Sequence, residues 1–371
     1  VRTDSQGKTD ILRLNTPPLE YSLQPSEIMP YAEYTIRITA PGFESIVVSG
    51  TEVLSNQLSL QNIRLRPTTP DELPDTIVIP DHTLYGSYPP KIAEDEIKPI
   101  TPSGEIVLDE IVVPEYVIVH DGTPSDTTAG NYYVRYKDYI KNVASSEIYA
   151  TWPYETLIAN ILAIQSFAMN RIYTEWYRNK GYSFTITSST AFDQKWMFGR
   201  NIFESIDAAV EDVFQNYLSR PNVRQPILTQ YCDGKRVQCP QWLSQWGSMS
   251  LGESGYEAIE ILRNYYGDTI YINEAEEVSG IPVSYPGYPL SVGSTGQSVV
   301  KIQEQLNTIS NNYPLIPKLT VDGIFGERTQ QAVKTFQSIF GLTQDGVVGP
   351  RTWYRIQDIY VAVTRMAENE P

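Results

Sequence analysis

The sequence predicts a multidomain protein with an N-terminal β-sandwich, a central α+β domain and a C-terminal domain of three helices. Three observations support this prediction: alternating apolar residues near the N-terminus, a long helical pattern in the middle of the chain, and a segment that recurs near its end. We expect these boundaries: the sandwich at 1–67, a linker that also supplies strands to the next domain at 68–128, the α+β domain at 129–278 and the helical domain at 279–371.

The composition excludes two classes of protein. With 28 Lys and Arg against 44 Asp and Glu, the 371-residue chain has a formal net charge of −16, whereas nucleic-acid binders carry basic patches. No apolar run approaches the length of a membrane span. Because the chain begins at Val1 with neither Met nor a signal peptide, we expect it to be trimmed, which says nothing about secretion. Its 26 Tyr and 6 Trp suit sugar-contacting surfaces, although most tyrosines are expected to pack strands.

Strand patterns dominate the N-terminal segment. Tyr34, Ile36 and Ile38 alternate with polar residues, and a Pro-Gly turn precedes the next apolar run. The stretch YTIRITAPGFESIVVSG resembles the carboxypeptidase-regulatory-like, transthyretin-type sandwich domains. This resemblance implies a spacer or interaction module, and we expect the sandwich to be incomplete because the chain starts inside the pattern.

The segment 68–128 is rich in proline and acidic residues, which favour extended chain that buries little apolar surface. Its run at 106–119 is more apolar, so we expect it to supply strands to the domain that follows. A second linker, SGIPVSYPGY at 279–288, is predicted before the C-terminal domain.

A strong helical pattern marks the central domain. Leu157, Ile161, Ile164 and Ala168 fall on one face, and a helix this apolar is expected to be buried. Glu147 precedes it among apolar neighbours, where a carboxyl would have a raised pKa and could hold a proton near neutral pH. The alternative interpretation is an exposed glutamate at a helix end.

Three segments resemble the stage II sporulation protein D family, in family order over about residues 131–272. They are ASSEIYATWPYETLIANILAIQSFAMNR, the weaker block TAFDQKW at 190–196, and WLSQWGSMSLGESGYEAIEILRNYYGD at 242–268. The chain departs from the family at Gln165-Ser166, Trp242 and Ser248, where Arg-Thr, Gly and Ala are usual. The bulky Trp242 is expected to reshape the groove and with it the glycan preference.

The resemblance implies that the central domain is catalytic, a lytic transglycosylase that cuts the MurNAc–GlcNAc bond of peptidoglycan to 1,6-anhydro products. Glu147, which lies in the matched segment, would serve as the single acid and base. Further residues of the matched blocks would line the substrate groove: Ser244, Gln245, Trp246 and Gln194. For Trp246 core packing is the alternative, and Asp193 is expected to lie in a surface turn.

Two cysteines stand seven positions apart. The spacing of Cys232 and Cys239 fits hairpin ends joined by a disulfide in a secreted protein. Some members of the stage II sporulation protein D family hold zinc here through Cys and His, but this loop has no His, and His82 and His120 lie upstream. A disulfide without a cofactor is favoured, while zinc binding and free thiols remain alternatives.

The C-terminal segment contains a repeat. LTVDGIFGERT at 319–329 returns as LTQDGVVGPRT at 342–352, and each copy predicts an Asp-Gly turn leading into a helix. A further helix is expected over 297–309. The pattern over about 286–360 resembles the peptidoglycan-binding domain type 1 family, which implies docking of wall glycopeptide in a shallow groove near the repeat loops. A helical domain without a ligand is the alternative.

Together these resemblances imply a secreted enzyme of the cell wall or spore envelope that binds peptidoglycan and cleaves its glycan strands. A catalytically silent wall adaptor, or an enhancer of a cell-wall amidase, is the first alternative, and a structural coat protein is the second. The expected partners are glycan strands and, under the hypothesis of an amidase enhancer, a cell-wall amidase. The sequence leaves open the oligomeric state, the life-cycle stage and the need for denuded glycan.

Overall fold

The computed structural model describes residues 1–68, 75–98, 111–223, 225–278, 286 and 288–364. The strands are β1 Ala32–Ile38, β2 Ile46–Val53, β3 Ser59–Leu60, β4 Asp75–Val78, β5 Val112–Pro114, β6 Tyr116–His120, β7 Asn131–Arg135, β8 Ile186–Thr187, β9 Ile202–Phe203, β10 Asn216–Ser219, β11 Tyr231–Cys232, β12 Leu243–Ser244, β13 Tyr271–Glu274 and β14 Glu276–Val278. The α-helices are α1 Tyr136–Glu147, α2 Tyr154–Tyr173, α3 Glu204–Val213, α4 Gln245–Glu253, α5 Ala258–Tyr266, α6 Gln297–Ile309, α7 Glu327–Ile339 and α8 Pro350–Thr364. Short 3₁₀ helices lie at Leu19–Ser22 and Arg178–Lys180.

The N-terminal sheet has three strands in the order β1-β2-β4, with β2 antiparallel to β1 and parallel to β4. β1 alternates between half-buried and exposed residues, as its sequence pattern predicts. Ile46, Val48 and Ile77 pack against Met197 of the central domain. The two-layer sandwich stays a prediction, because residues 1–67 contribute β1 and β2 to this one sheet, while β3 pairs with β9.

The helix α2 forms the centre of the central domain, as predicted for so apolar a sequence. Nearly all of its 20 residues are buried, and α1, α3, α4, α5 and β10 pack around it. Ala159 and Ala163 are fully buried, and their small side chains let neighbouring elements approach α2 closely. No helix in the described ranges combines the length and apolarity that a membrane crossing needs.

A small mixed sheet covers one side of these helices. Its order is β7-β6-β8, with β7 antiparallel and β8 parallel to β6. Every residue of β6 is buried, which explains the apolar run in this otherwise acidic segment. Within the predicted strand-supplying run 106–119, residues 106–110 lie outside the described residues, as do positions 279–285 and 287 of the second predicted linker.

The C-terminal domain consists of α6, α7 and α8 around one apolar core, which confirms the prediction of three helices. α6 has the predicted bounds, and α8 starts at the predicted Pro350. A buried glutamine holds each repeat loop: Gln303 donates to the carboxylate of Asp322 at 2.9 Å and accepts the N–H of Gly323 at 2.9 Å. Gln337 makes the equivalent bonds in the second loop. The repeated sequence therefore encodes a repeated loop structure.

Candidate active site

Glu147 is the last residue of α1, and its side chain is enclosed by the central domain, with 0% of its surface exposed. Its Oε1 accepts a hydrogen bond from the backbone N–H of Lys195 at 2.7 Å. Its Oε2 accepts one from the hydroxyl of Tyr231. The interpretation of Glu147 as an exposed helix-end glutamate is therefore wrong.

Burial controls the protonation of this carboxyl. Removal from water raises the pKa of Glu147, and this effect outweighs the Lys91 cation, the Tyr231 hydroxyl and the Lys195 N–H, which all favour the ionised form. Burial also raises the pKa of Tyr231 well above its ordinary value, so its hydroxyl stays protonated and acts as a donor. The site thus holds a carboxyl that keeps its proton closer to neutral pH than an exposed glutamate does.

The turn that supplies the Lys195 N–H is anchored by a buried ion pair. Asp193 accepts hydrogen bonds from Nε of Arg171 at 2.7 Å, from the Tyr177 hydroxyl at 2.6 Å and from the backbone N–H of Thr187 at 2.9 Å. Asp193 and Arg171 are both fully buried, so the expected surface turn is wrong. Losing the Arg171 charge would leave the Asp193 carboxylate buried without its cation, so the ion pair is expected to hold this turn in place beside Glu147.

Gln194 lies in the same turn and is also fully buried. Its Oε1 accepts the hydroxyl hydrogen of Tyr139 at 3.0 Å, and its Nε2 donates to the carbonyl of Ile164 at 2.9 Å. Both ends of the amide are thus bound within the protein, where they position the turn beside Glu147. The predicted contact of Gln194 with substrate stays a prediction.

The strands β11 and β12 bring the last matched block to the carboxylate. They pair in parallel, so Ser244 lies beside the strand that carries Tyr231. Ser244 also caps α4, since its Oγ accepts the N–H of Gly247 at 3.0 Å. The next residue, Gln245, is fully buried, and neither its amide oxygen nor its nitrogen has a hydrogen-bond partner among the described residues. Gln245 is therefore a buried amide with its hydrogen-bonding capacity unused.

Trp246 packs among other aromatic rings. Its ring centre lies 6.0 Å from that of Tyr149 and 5.1 Å from that of Trp152, and it is 6% exposed. Tyr149 and Trp152 follow Glu147 closely in the chain, so this contact packs α4 against the segment immediately after Glu147. This is the packing that the alternative interpretation expects, and a sugar contact of Trp246 stays a prediction.

Cys232 and Cys239 form a disulfide, with their Cα atoms 5.7 Å apart. The Asp233 carboxylate shapes the loop between them by accepting three backbone N–H groups at 235–237. Zinc binding through these two cysteines would need their thiolates, and the disulfide removes both of them. Within the part of the chain that the structure describes, no group of three or more His, Cys, Asp or Glu side chains could hold a metal ion.

Three residues around the carboxyl lie outside the site that the sequence predicts. Tyr231 directly precedes Cys232, in a loop whose pair of cysteines is its most conspicuous sequence feature. Tyr88 and Lys91 lie in the predicted linker. Lys91 reaches the site through its hydrogen bond to the carbonyl of Asp193, 102 positions away in the chain. A local pattern carries no signal for such a contact, and the one sequence feature that marks these residues is an aromatic and a lysine, Tyr88 and Lys91, within an acidic segment.

Comparison with known proteins supports the C-terminal part of the prediction. Residues 295–356 match the family model described as a putative peptidoglycan binding domain. The chain is 41% identical over 73 residues to the zinc D-Ala-D-Ala carboxypeptidase of Streptomyces albus G, covering 19% of this chain and 27% of the relative. It is 40% identical over 68 residues to an uncharacterized protein in the bpoA1 3' region of Kitasatospora aureofaciens, covering 18% and 53%.

The chain thus spans about a quarter and about half of the length of these curated relatives. Among solved structures, the crystal structure of the SleB N-terminal domain is similar, with a TM-score of 0.18 and 28% identity over 21% of this chain and 99% of that one. The family match supports a C-terminal peptidoglycan-binding domain. The resemblances of the central and N-terminal domains remain predictions.

Proposed function

We propose that this protein is a secreted, wall-associated lytic transglycosylase that binds peptidoglycan and cleaves its glycan strands with Glu147 as the single acid and base. The observation that carries the proposal is the way in which the Glu147 carboxyl is held and its pKa is raised. This carboxyl has a raised pKa, and a backbone N–H and a tyrosine hydroxyl hold its two oxygens in fixed positions. Catalytic acids are tuned by burial in this way.

The reaction needs one carboxyl in two protonation states. The protonated Glu147 gives its proton to the glycosidic oxygen as the bond between C1 and that oxygen breaks. The resulting carboxylate then takes the proton of the C6 hydroxyl of the same sugar, whose oxygen bonds to C1 and closes the 1,6-anhydro ring. The acid is thereby regenerated without water, and such proton transfer contributes roughly 10²–10⁴-fold to the rate.

The neighbouring acids support a mechanism with one carboxyl. Asp193 is held in its ion pair with Arg171, and Asp233 is held by three backbone N–H groups. Glycoside hydrolases usually need a second carboxyl that is free to act as base or nucleophile. Because Asp193 and Asp233 are both held by hydrogen bonds within the protein, neither is available as a second base or nucleophile, and we favour transglycosylation over hydrolysis.

Gln245 is the best candidate for a sugar contact. A buried amide without partners is unfavourable unless a ligand or water completes its hydrogen bonds. Sugar hydroxyls both donate and accept, so they suit its oxygen and its nitrogen together. Ser244 and Gln194 already bind within the protein, and we assign them to positioning the elements around the carboxyl.

The C-terminal domain would bring the enzyme to its insoluble substrate. Its match to a peptidoglycan-binding family supports wall glycopeptide as the ligand. A chain that carries such a domain beside a glycan-cleaving site gains effective concentration on the wall without further contacts. This supports a location in the cell wall or spore envelope.

The first test compares Glu147→Gln with Glu253→Gln on denuded glycan strands. Glu253 is a matched control because it also ends a helix, α4, but is exposed. We expect Glu147→Gln to lower the formation of 1,6-anhydro ends roughly 10²–10⁴-fold, because the amide cannot donate the proton. The Glu253→Gln variant should match the wild type. Equal rates for both variants would place the chemistry elsewhere.

A non-catalytic wall adaptor is the second candidate. The complete enclosure of Glu147 favours it, since an acid that a glycan cannot reach cannot act on it. Absence of anhydro product from the wild type would favour this candidate, whether as a passive adaptor or as an enhancer of an amidase.

A further inference from the structure

The segment 79–98, which we call the strap, has neither helix nor strand, yet it is fixed against both sides of the Glu147 carboxyl. The backbone N–H and the hydroxyl of Thr83 both donate to the carbonyl of Ser146, at 3.2 and 2.8 Å. Nε2 of His82 lies 3.4 Å from the carbonyl of Ile148. The strap therefore contacts the residues immediately before and after Glu147.

The middle of the strap covers the partners of the carboxyl. Nζ of Lys91 donates to the carbonyl of Asp193 at 2.8 Å and lies 4.1 Å from the ring centre of Tyr231. Tyr88 is buried, and its hydroxyl has no partner among the described residues. Burial, and then the charge of Glu147, raise the pKa of Tyr88, so both strap residues lie within electrostatic range of the carboxylate.

The far end of the strap is tied to the central domain. The N–H of Ile92 donates to the carbonyl of Ala191 at 2.8 Å. The side chain of Gln230 accepts the N–H of Glu94 at 2.9 Å and donates to the carbonyl of Ile92 at 2.7 Å. The Glu94 carboxylate then pairs with Arg171, the same arginine that anchors the turn beside Glu147.

One arginine holds the N-terminal end of the strap, at residues 83–86. Arg236, in the loop closed by the disulfide, donates to the successive carbonyls of residues 83–86, at 3.0, 2.7 and 2.9 Å for the first three. These carbonyls belong to irregular backbone without strand partners, so the guanidinium supplies bonds that water would otherwise make. Its removal would weaken this end of the strap and leave the carboxylate site itself unchanged.

We propose that the strap is a built-in cover that keeps Glu147 out of reach and must be displaced before a glycan strand binds. The identity of the ligand rests on the proposed function, whereas the cover itself rests on the contacts above. A polymeric substrate must place a glycosidic oxygen within hydrogen-bond reach of the acid, and the enclosed carboxyl does not permit this while the strap is seated. The protein would thus be held inactive until it meets its substrate or a partner that moves the strap.

Thiol labelling measures the cover without any catalysis. In Glu147→Cys the new thiol is the target, because the two native cysteines are bonded to each other. We expect labelling by a small methanethiosulfonate to be at least tenfold slower than in the exposed control Asp268→Cys. Adding Arg236→Ala should accelerate labelling at position 147 at least tenfold, while Arg263→Ala, an exposed arginine of α5, should not. Labelling as fast as in the exposed control, or insensitive to Arg236→Ala, would overturn the cover.

Amide exchange provides a second readout in the unaltered chain, in case Glu147→Cys does not fold. The amides of Thr83, Ile92 and Glu94 should be protected in the wild type, and Arg236→Ala or added denuded glycan should speed their exchange. Unprotected strap amides would contradict the proposal.

Enzyme activity provides a third, separate measurement: Arg236→Ala should raise the initial rate of anhydro-end formation. If no variant forms anhydro ends but labelling and exchange behave as expected, the proposed function fails and the cover stands.

Discussion

At the scale of single residues, the proposed acid depends on groups from distant parts of the chain. The Lys195 N–H and the Tyr231 hydroxyl hold the Glu147 carboxylate, and Lys91 adds a positive charge from the strap. Burial alone would raise the pKa of this carboxyl but would not fix the orientation of its two oxygens. The donors fix the orientation and moderate the pKa, which is the balance that a group acting first as acid and then as base requires.

Substitution of Lys91 tests this balance through the pH profile. Burial lowers the pKa of Lys91 to about 8, so it is charged at neutral pH and there favours the ionised form of Glu147. Lys91→Met removes that effect and should raise the pKa of Glu147 further. We therefore expect the alkaline limb of kcat/KM, where the acid loses its proton, to move to higher pH. Lys91→Arg keeps the charge and should leave the limb near its wild-type position. An unmoved limb in Lys91→Met would show that the strap does not tune the acid.

At the scale of secondary-structure elements, the repeat loops of the C-terminal domain show how a short sequence pattern becomes a fixed structure. In the second loop, Gln337 donates to Asp345, to the carbonyl of Val347 and to Thr352, and it accepts the N–H of Gly346. The glutamine thus satisfies the polar groups of a loop that lies against an apolar core. The loop glycine adopts a φ of 71°, which the turn requires.

We expect Gln337→Leu to destabilise this loop by about 1–3 kcal/mol, because it leaves buried donors and acceptors unpaired. The matched control is Gln331→Leu on the exposed side of α7, which should have little effect. Amide exchange of residues 345–348 in the intact chain measures the free energy of local opening. A Gln337→Leu variant as stable as the control would refute the role given to the glutamine.

Much of this element-scale structure could be predicted from the sequence, and the reasons are local. The apolar period of α2 and the turn residues of the repeat act over a few positions, so the sequence predicts their helices. It does not predict the strap, because the composition of 68–128 indicates extended chain but not which residues that chain contacts. Its contacts, such as Lys91 with Asp193, depend on residues about 100 positions away and follow only from the tertiary fold.

At the scale of the whole molecule, recognition of the wall and chemistry on the glycan are assigned to different domains. Deletion of 279–371 should abolish retention on insoluble peptidoglycan, because the family match of the deleted segment supports its role in binding. The full-length Glu147→Gln variant should be retained like the wild type. Soluble denuded glycan should still be cleaved by the shortened chain, which also serves as the check that its central domain is folded. Undiminished retention after the deletion would remove the targeting role from the C-terminal domain.

Digestion of denuded glycan strands in water enriched in ¹⁸O distinguishes an intramolecular attack driven by Glu147 from hydrolysis. The new chain ends are then analysed by mass spectrometry, with reducing-end glycans incubated in the same water as the control for exchange. We expect 1,6-anhydro ends without ¹⁸O from the wild type and almost none from Glu147→Gln. Reducing ends that carry ¹⁸O beyond the exchange control would contradict the intramolecular attack.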